Sequence, residues 1–238
     1  WDVVNEPISG TDGDGDGYYD LQSAENGDPE SNFYWQDYLG ADYVCTAVEL
    51  ARKHGPENLK LFVNDYNLES DWDDNQKLKS LIYWIEQWES DGVTVIDGIG
   101  TQMHVSYHLN PETQASKEEH IVKMYELLAA TGKLVKVTEL DMGLVDENGD
   151  TVETDALTDE QDKEMAEFYN FIIRKYFEII PANQQYGIAH WSPADSPESS
   201  SWRGGEPIGL WVEGFDYRKQ TYAGFANGLA GEEVVEIE

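Results

Sequence analysis

The chain begins with WDVVNEP at residues 1–7, where a short apolar run is followed by Asn5 and Glu6. Valine-rich runs of this length are typical of strands that are buried in a parallel sheet. The polar pair therefore stands at the point where the predicted strand ends. Because a similar ending follows four later runs, this stretch sets the pattern from which the fold is predicted.

Apolar runs alternate with amphipathic helical patterns along the chain. Strand and helix in turn at this spacing predict βα units and a parallel sheet. The strand-like runs are Trp1–Asn5, Leu59–Val63, Val95–Ile99, Leu134–Thr138 and Tyr186–Trp191, and the helical patterns are roughly Tyr38–Lys53, Asn75–Ser90, Lys117–Ala130, Asp159–Phe177 and Tyr222–Leu229.

The polar clusters at the strand ends favour a barrel over an open sheet. In a (β/α)8 barrel the carboxyl ends of the strands converge on one face, where active sites lie. A doubly wound sheet that binds a nucleotide would need a glycine-rich phosphate-binding loop of the GxGxxG type after its first strand, and that motif does not follow Glu6. We therefore predict an α/β fold, a (β/α)8 TIM barrel of which this chain supplies about five βα units. The clusters are Asn5 with Glu6, Asn64 with Asp65, Gln102 with His104, Glu139 with Asp141, and Trp191 with Asp195.

Five units leave such a barrel three strands short, with two unpaired sheet edges. We expect that another polypeptide supplies the missing units, that two fragments associate, or that the sequence was cut from a longer protein. A natural five-stranded fold is the alternative. The chain starts at Trp1 inside a predicted strand, which favours a fragment or a processed product. Residues 1–238 are treated as a portion of one barrel domain, and residues 10–32 as an acidic loop insertion rich in Gly and Asp.

The charge of the chain restricts its partners. With 48 acidic and 15 basic residues, its formal net charge is −33. Such a surface repels phosphate backbones and anionic lipids, which argues against nucleic acid and membranes as partners. A neutral polysaccharide meets no such repulsion, although adaptation to high salt explains the acidity equally well. The 8 Trp and 14 Tyr suit either a groove that stacks sugar rings or a tryptophan-rich core.

Two glutamates stand where a glycosidase would need them. Hydrolysis of a glycosidic bond uses one carboxyl group as a proton donor and a second, ionised one on the other side of the bond. Glu6 and Glu139 follow the first and fourth predicted strands, which would face each other across the mouth of a full barrel. A separation of about 5–5.5 Å would give a retaining mechanism. The alternative is two unrelated glutamates among the 48 acidic residues.

The segment at residues 1–7 resembles the acid/base motif of family 10 glycoside hydrolases. Later segments resemble motifs of the same family in the same order, so the resemblance covers nearly the whole chain. It implies a retaining endo-β-1,4-xylanase, with this chain as the last five βα units of its barrel. Asn-Glu-Pro alone would also fit related cellulases and mannanases. The later segments are NDYN at residues 64–67, GIGTQMH at 98–104, VTELD at 137–141, Trp191 to Asp195, and SWR at 201–203.

The resemblance implies a role for each site residue. Glu6 protonates the leaving oxygen and later activates water, and Glu139 attacks the anomeric carbon. Asp141 orients His104, which hydrogen-bonds the nucleophile. Trp191 and Trp202 wall the cleaved sugar and exclude a hydroxymethyl group, while Asn64 and Tyr66 point toward the leaving group. The implied substrate-binding residues are Asn5, Asn64, Tyr66, Gln102, His104, Trp191 and Trp202.

The family also implies xylan and xylo-oligosaccharides as substrates, a secreted or cell-surface location, and chemistry that needs no metal. It implies an N-terminal segment that carries the first three βα units. Two other functions remain open at this point. One is a related barrel hydrolase of cellulose or mixed-linkage glucan, and the other is a non-catalytic carbohydrate-binding fragment.

The acidic insertion has the spacing of a calcium-binding loop. Such loops place acidic ligands at positions one, three, five and nine and a glycine at position six. Position twelve is Ser23 here, where a glutamate is usual. We predict a structural calcium site, with a solvated acidic loop as the alternative. The residues in the pattern are Asp12, Asp14, Asp16 and Asp20, with Gly17 at position six.

Overall fold

The computed structural model describes residues 1–235, so residues 236–238 of the predicted domain lie outside the described residues. Strands and helices alternate along this part of the chain, as the sequence predicts. The strands are β1 (Asp2–Asn5), β2 (Phe62–Asp65), β3 (Gly98–Thr101), β4 (His104–His108), β5 (Leu134–Val145) and β6 (Gln185–His190), and the helices are α1 (Gln36–Leu39), α2 (Tyr43–His54), α3 (Gln76–Glu89), α4 (Pro111–Ala130), α5 (Asp159–Ile179) and α6 (Gln220–Ala230).

Five strands form one parallel sheet in the order β1-β2-β3-β5-β6. The remaining strand, β4, pairs in parallel with residues 141–145, the second half of β5. All five predicted strands are therefore present and parallel, as βα units require. Their carboxyl ends lie on one side of the sheet, so the polar clusters that follow them are brought together.

Several local features differ from the sequence-based expectation. The third strand spans Gly98–Thr101 rather than Val95–Ile99. The second strand begins at Phe62 rather than Leu59, because its register against its neighbours and not its apolar content sets its ends. Gly40, with φ 77°, separates α1 from α2 within the predicted helix Tyr38–Lys53. Strand β4 was not predicted, since it forms only by pairing with the extended end of β5.

The core lies between the sheet and its helices. Helix α5 begins with a capping box in which the Thr158 side chain accepts the Gln161 N–H and the Gln161 side chain accepts the Thr158 N–H. Its inner face carries Tyr169 and Tyr176, both fully buried. Trp88 of α3 is also buried, and its Nε1 donates to the Ala41 carbonyl at 2.9 Å. This packing holds the strands rigidly beneath the loops at their carboxyl ends.

Both outer strands have an unpaired edge within residues 1–235, since β1 pairs only with β2, and β6 only with β5. Lys136 Nζ lies 2.8 Å from Asp2 Oδ1, which joins β5 to β1 across the curved face of the sheet. In the described part of the chain, every helix is too short or too polar to cross a membrane.

Candidate active site

A cavity of about 410 Å³ opens at the carboxyl ends of the strands. The two carboxyl groups predicted to be catalytic, those of Glu6 and Glu139, both line this cavity. Barrel enzymes carry their active sites at this position. The other lining residues are Asp2, Asn5, Asn64, Gln102, His104, Trp191 and Trp202.

Glu6 follows β1 in the left-handed backbone conformation, with φ 53°. Glutamate adopts this conformation rarely, and such residues are concentrated at functional sites. Its Oε1 accepts a hydrogen bond from Gln102 Nε2 at 2.8 Å and another from Asn5 Nδ2 at 3.1 Å. Among residues 1–235 no group donates to Oε2. That oxygen is therefore free to contact a ligand in the cavity.

Glu139 lies within β5, and its Oε1 accepts a hydrogen bond from Asn64 Nδ2 at 3.0 Å. The same amide donates to Asn5 Oδ1 at 2.8 Å. Thr138 Oγ1 donates to Asn64 Oδ1 at 2.8 Å, which fixes the orientation of the amide. Asn64 is 1% exposed, so it connects the two halves of the site from below.

Gly100 of β3 provides the space that Asn64 occupies. A Cβ atom at Gly100 would lie 2.4 Å from Asn64 Oδ1 and 3.0 Å from Thr138 Cγ2. Both distances are shorter than ordinary van der Waals contact. The glycine is therefore required for close approach of the amide.

His104 is the first residue of β4, and its Cα pairs with that of Asp141 in β5. Its Nε2 lies 3.5 Å from Glu139 Oε2, and its Nδ1 lies 3.1 Å from Asp141 Oδ1. Asp141 is fully buried, and Arg203 Nη1 donates to its Oδ1 at 2.9 Å. The imidazole thus lies between two carboxylates, and Arg203 forms an ion pair with that of Asp141.

Two tryptophans border the cavity beside His104. Trp202 Nε1 donates to Asp141 Oδ2 at 2.8 Å, and its ring centroid lies 4.5 Å from that of His104. The ring of Trp191 contacts His104 edge to face at 5.9 Å. Trp191 is 51% exposed and Trp202 is 40% exposed, so both present free aromatic faces. Such faces stack against the apolar faces of sugar rings.

Tyr66 and Asn64 were both predicted to point toward the leaving group, but they line different cavities. Tyr66 lines a second cavity, of about 660 Å³, which also reaches Glu6 and is bordered by Phe33 and Trp35. Asn64 lines the first cavity, and its side-chain hydrogen bonds go to protein groups. A positioning role for Asn64 therefore fits its geometry better than sugar contact.

The acidic loop returns to the body of the protein through an antiparallel bridge between Ile8 and Leu21. Carboxylate oxygens of Asp12, Asp14 and Asp16 lie within 4.8 Å of one another. Asp20 is outside this group, and its Oδ2 accepts the Gly13 N–H at 2.8 Å. The calcium site stays a prediction, now with three clustered carboxylates.

Two residues of the site were not singled out from the sequence. Arg203 belongs to a recognised motif, yet its role appears only from tertiary contacts with Asp141, the Val105 carbonyl and Ser106. Thr138 precedes Glu139, and its hydroxyl reaches Asn64 only because β2 and β5 both flank β3. Neither contact has a signal in local sequence.

The sequence is similar to known glycoside hydrolases. The sequence profile of the family described as glycosyl hydrolase family 10 matches residues 1–226. An endo-1,4-beta-xylanase A from Thermoanaerobacterium saccharolyticum is 32% identical over 197 residues, which are 82% of this chain and 14% of that protein. The exoglucanase XynX from Acetivibrio thermocellus is also 32% identical, over 82% of this chain and 14% of its own length.

Solved structures show the same fold. A mutant of xylanase10C from Cellvibrio japonicus in complex with xylopentaose superposes with a TM-score of 0.73 at 23% identity. The match covers 100% of this chain and 45% of that one. The fold is therefore that of a partial (β/α)8 barrel, and the chain spans less than half the length of these similar proteins.

Proposed function

The chain belongs to glycosyl hydrolase family 10, and from this we propose that it is the C-terminal part of the barrel of a retaining endo-β-1,4-xylanase. The proposed substrates are xylan and xylo-oligosaccharides. One observation carries the proposal: Glu6 and Glu139 line one cavity and are connected through Asn64, Asn5 and Gln102. A binding module would need neither carboxyl group.

In the first proposed step, Glu6 donates its proton to the glycosidic oxygen as the bond to the anomeric carbon breaks. Glu139 attacks that carbon, and its carboxylate oxygen forms the covalent glycosyl-enzyme. The leaving sugar departs with the proton from Glu6. Two carboxyl groups about 5–5.5 Å apart suit this double displacement, and we predict that separation here.

In the second step, the ionised Glu6 takes a proton from water. The water oxygen attacks the anomeric carbon and releases Glu139, so both carboxyl groups return to their starting states. Asn5 is proposed to hydrogen-bond the 2-hydroxyl group of the sugar, a contact that strengthens in the transition state. The steps use only carboxyl groups and water, so no metal is proposed for the chemistry.

Selectivity for xylose is assigned to the two tryptophans. Trp191 and Trp202 border the cavity with exposed rings, and Trp202 is held in place by its hydrogen bond to Asp141. A pentopyranose lacks the hydroxymethyl group of glucose. A rigid aromatic wall therefore accepts xylose and contacts a glucose unit too closely.

Comparative hydrolysis tests the proposal. The full-length polypeptide that carries this chain is assayed for reducing ends on xylan, carboxymethyl cellulose and mixed-linkage glucan, beside its Glu139→Gln variant. We expect hydrolysis of xylan well above the other two polymers, and none by the variant. Polymer binding without hydrolysis in the unchanged protein would instead support a non-catalytic carbohydrate-binding function.

A second candidate function has one supporting observation, the similarity to a protein named exoglucanase. In that case the same carboxyl pair would act on β-1,4-glucan. Faster hydrolysis of cellulose or mixed-linkage glucan than of xylan would support this candidate. The comparative assay therefore separates the two substrate classes.

We also propose that an N-terminal segment with three βα units completes the barrel, and that the protein acts outside the cell. The unpaired edges of β1 and β6 support the first part, because a closed barrel has none. Polymeric xylan cannot enter a cell, which supports the second part. We expect residues 1–238 alone to hydrolyse xylan weakly or not at all, and addition of the complementary segment to restore activity.

A further inference from the structure

Lys77 is a lysine of α3 that is only 4% exposed. Its Nζ lies 2.8 Å from Asp65 Oδ1 and 3.2 Å from the centroid of the Tyr66 ring. Burial of an ammonium group is costly unless an opposite charge compensates it. A carboxylate and an aromatic face provide that compensation here. Lys77 therefore touches the ring of a proposed substrate-binding residue from inside the protein.

Asp65 ends β2 and is fully buried. Its Oδ2 accepts the Ile8 N–H at 3.1 Å, and its Oδ1 accepts the Tyr66 N–H at 2.9 Å. Its backbone carbonyl accepts the Gln102 N–H at 3.0 Å. Asp65 thus accepts hydrogen bonds from three backbone N–H groups of the site, those of Ile8, Tyr66 and Gln102.

Glu6 depends on such contacts because its backbone is left-handed, with φ 53°. A glutamate has no intrinsic preference for this conformation, so surrounding bonds must hold it. The Glu6 N–H donates to the Asn64 carbonyl at 2.7 Å, and Gln22 Nε2 donates to the Glu6 carbonyl at 2.8 Å. The bond from Ile8 to Asp65 fixes the chain two residues further on.

We propose that Lys77 and Asp65 are a positioning pair that aligns the acid/base Glu6 and the leaving-group side of the cleft together. The ammonium favours the ionised form of Asp65, in which the carboxylate holds the Ile8 N–H and thereby the Glu6 backbone. The same ammonium holds the Tyr66 ring in the second cavity, beside Glu6. This inference rests on the proposed function.

The charges around Asp65 give the sign of a pH effect. The pKa of Asp65 is raised to about 6, because burial raises it by more than Lys77 lowers it. Tyr43 of α2 also faces Asp65. The pKa of Tyr43 is raised, mainly by burial and to a smaller extent by the Asp65 carboxylate. Without Lys77, Asp65 stays protonated to a higher pH. A protonated carboxyl is a weaker acceptor for Ile8, so activity in the variant should recover only as the pH rises.

The test is the pH dependence of kcat/KM for the full-length polypeptide with an aryl β-xylobioside and with xylopentaose. We expect Lys77→Met to lose about 10–100-fold near pH 6, the scale of a small displacement of a catalytic group. Its ascending pH limb should move up by about 1–2 units, because an opposite charge has been removed. Its KM for xylopentaose should rise more than its KM for the aryl substrate, because the proposed partner of Tyr66 is a leaving-group sugar, which the aryl substrate lacks.

Two further variants separate positioning from stability. The double variant Lys77→Met, Asp65→Asn has no carboxyl group to titrate at this position, so its limb should lie no higher than that of the unchanged protein. Lys219→Met breaks another buried pair, in which Lys219 Nζ lies 2.7 Å from Asp195 Oδ1, and should leave the limb in place. If Lys77→Met does not fold, Lys77→Arg keeps the charge and should keep the limb.

A folded Lys77→Met protein whose limb stays in place overturns the inference, as does a shifted limb in Lys77→Arg. An unchanged protein that cleaves no xyloside overturns the proposed function, and this inference with it. If the unchanged protein cleaves the xyloside but the ascending pH limb of Lys77→Met does not shift, only this inference is overturned.

Discussion

At the scale of single residues, buried ion pairs hold the site together. Arg203 Nη1 lies 2.9 Å from Asp141 Oδ1, and the carboxylate is fully buried. Loss of one partner from such a pair costs about 3–5 kcal/mol, because the other charge stays buried without compensation. Since Asp141 also contacts His104 and Trp202, the arginine fixes both a proposed hydrogen-bond donor and a proposed sugar wall.

His190 carries a prediction about pH. It ends β6, its Nε2 lies 3.0 Å from the Tyr169 hydroxyl, and burial lowers its pKa from 6.5 to about 4. As the pH falls from 6.5 to 4, the unfolded chain binds a proton here that the folded chain does not. Stability from His190 is present above pH 6.5 and is lost through this interval, by up to about 3 kcal/mol.

Urea unfolding at pH 7, 5.5 and 4 measures this loss. His190→Gln should show a smaller loss of unfolding free energy than the unchanged protein between pH 7 and pH 4. His54→Gln is the control, because His54 is exposed at the end of α2 and should change nothing. Equal losses in the unchanged protein and in His190→Gln would show that His190 does not titrate in this way.

At the scale of the elements, close packing of strands β2, β3 and β5 positions Asn64. Gly100→Ala places a methyl group where Asn64 Oδ1 lies, 2.4 Å from the new Cβ. We expect kcat/KM on an aryl xylobioside to fall by about 10–100-fold, because Asn64 can no longer reach both Asn5 and Glu139. Steady-state kinetics on the full-length polypeptide measures this.

Gly187→Ala is the matched control for this substitution. Gly187 is also a strand glycine, in β6, and a Cβ there meets no atom of residues 1–235 within 4 Å. Its kcat/KM should equal that of the unchanged protein. Unchanged kinetics in Gly100→Ala as well would mean that Asn64 does not position the carboxylates.

The acidic loop carries a prediction about calcium. Asp12, Asp14 and Asp16 bring three carboxylates together, so a bound cation would relieve their repulsion. With a dissociation constant near 10⁻⁴–10⁻³ M, 10 mM calcium would raise the melting temperature by about 3–10 °C. Sodium chloride at equal ionic strength is the control, because screening alone stabilises a chain of charge −33. An equal shift in both salts contradicts the calcium site.

Some strands and contacts could be predicted from the sequence, and others could not. Parallel strands and the convergence of Glu6 and Glu139 were predicted, because periodicity and strand-end chemistry are local signals. The offset of β2, the break at Gly40 and strand β4 were not, since pairing decides them. Lys77 could not be recognised as buried, because a lysine beside apolar helix positions is ordinarily exposed.

At the scale of the whole molecule, the fold is an incomplete barrel with a complete pair of carboxyl groups. Strands β1 and β6 are the outer strands within residues 1–235, and closure of the barrel would cover both edges. The sequence alone predicted this shortage, because it shows five βα units where a barrel has eight. The net charge of −33 gives no fold information, although it opposes close association with other acidic surfaces.

In the proposed mechanism Glu139 forms a covalent bond to xylose while Glu6 supplies the proton. Intact-mass analysis after incubation of the completed barrel with a 2-deoxy-2-fluoro xylobioside tests it most directly, because such a reagent forms the glycosyl-enzyme and slows its hydrolysis. We predict one added fluoroxylobiosyl unit, mapped by peptide sequencing to Glu139. No label, or a label on another residue, in a protein shown to contain all eight strands would contradict the assignment.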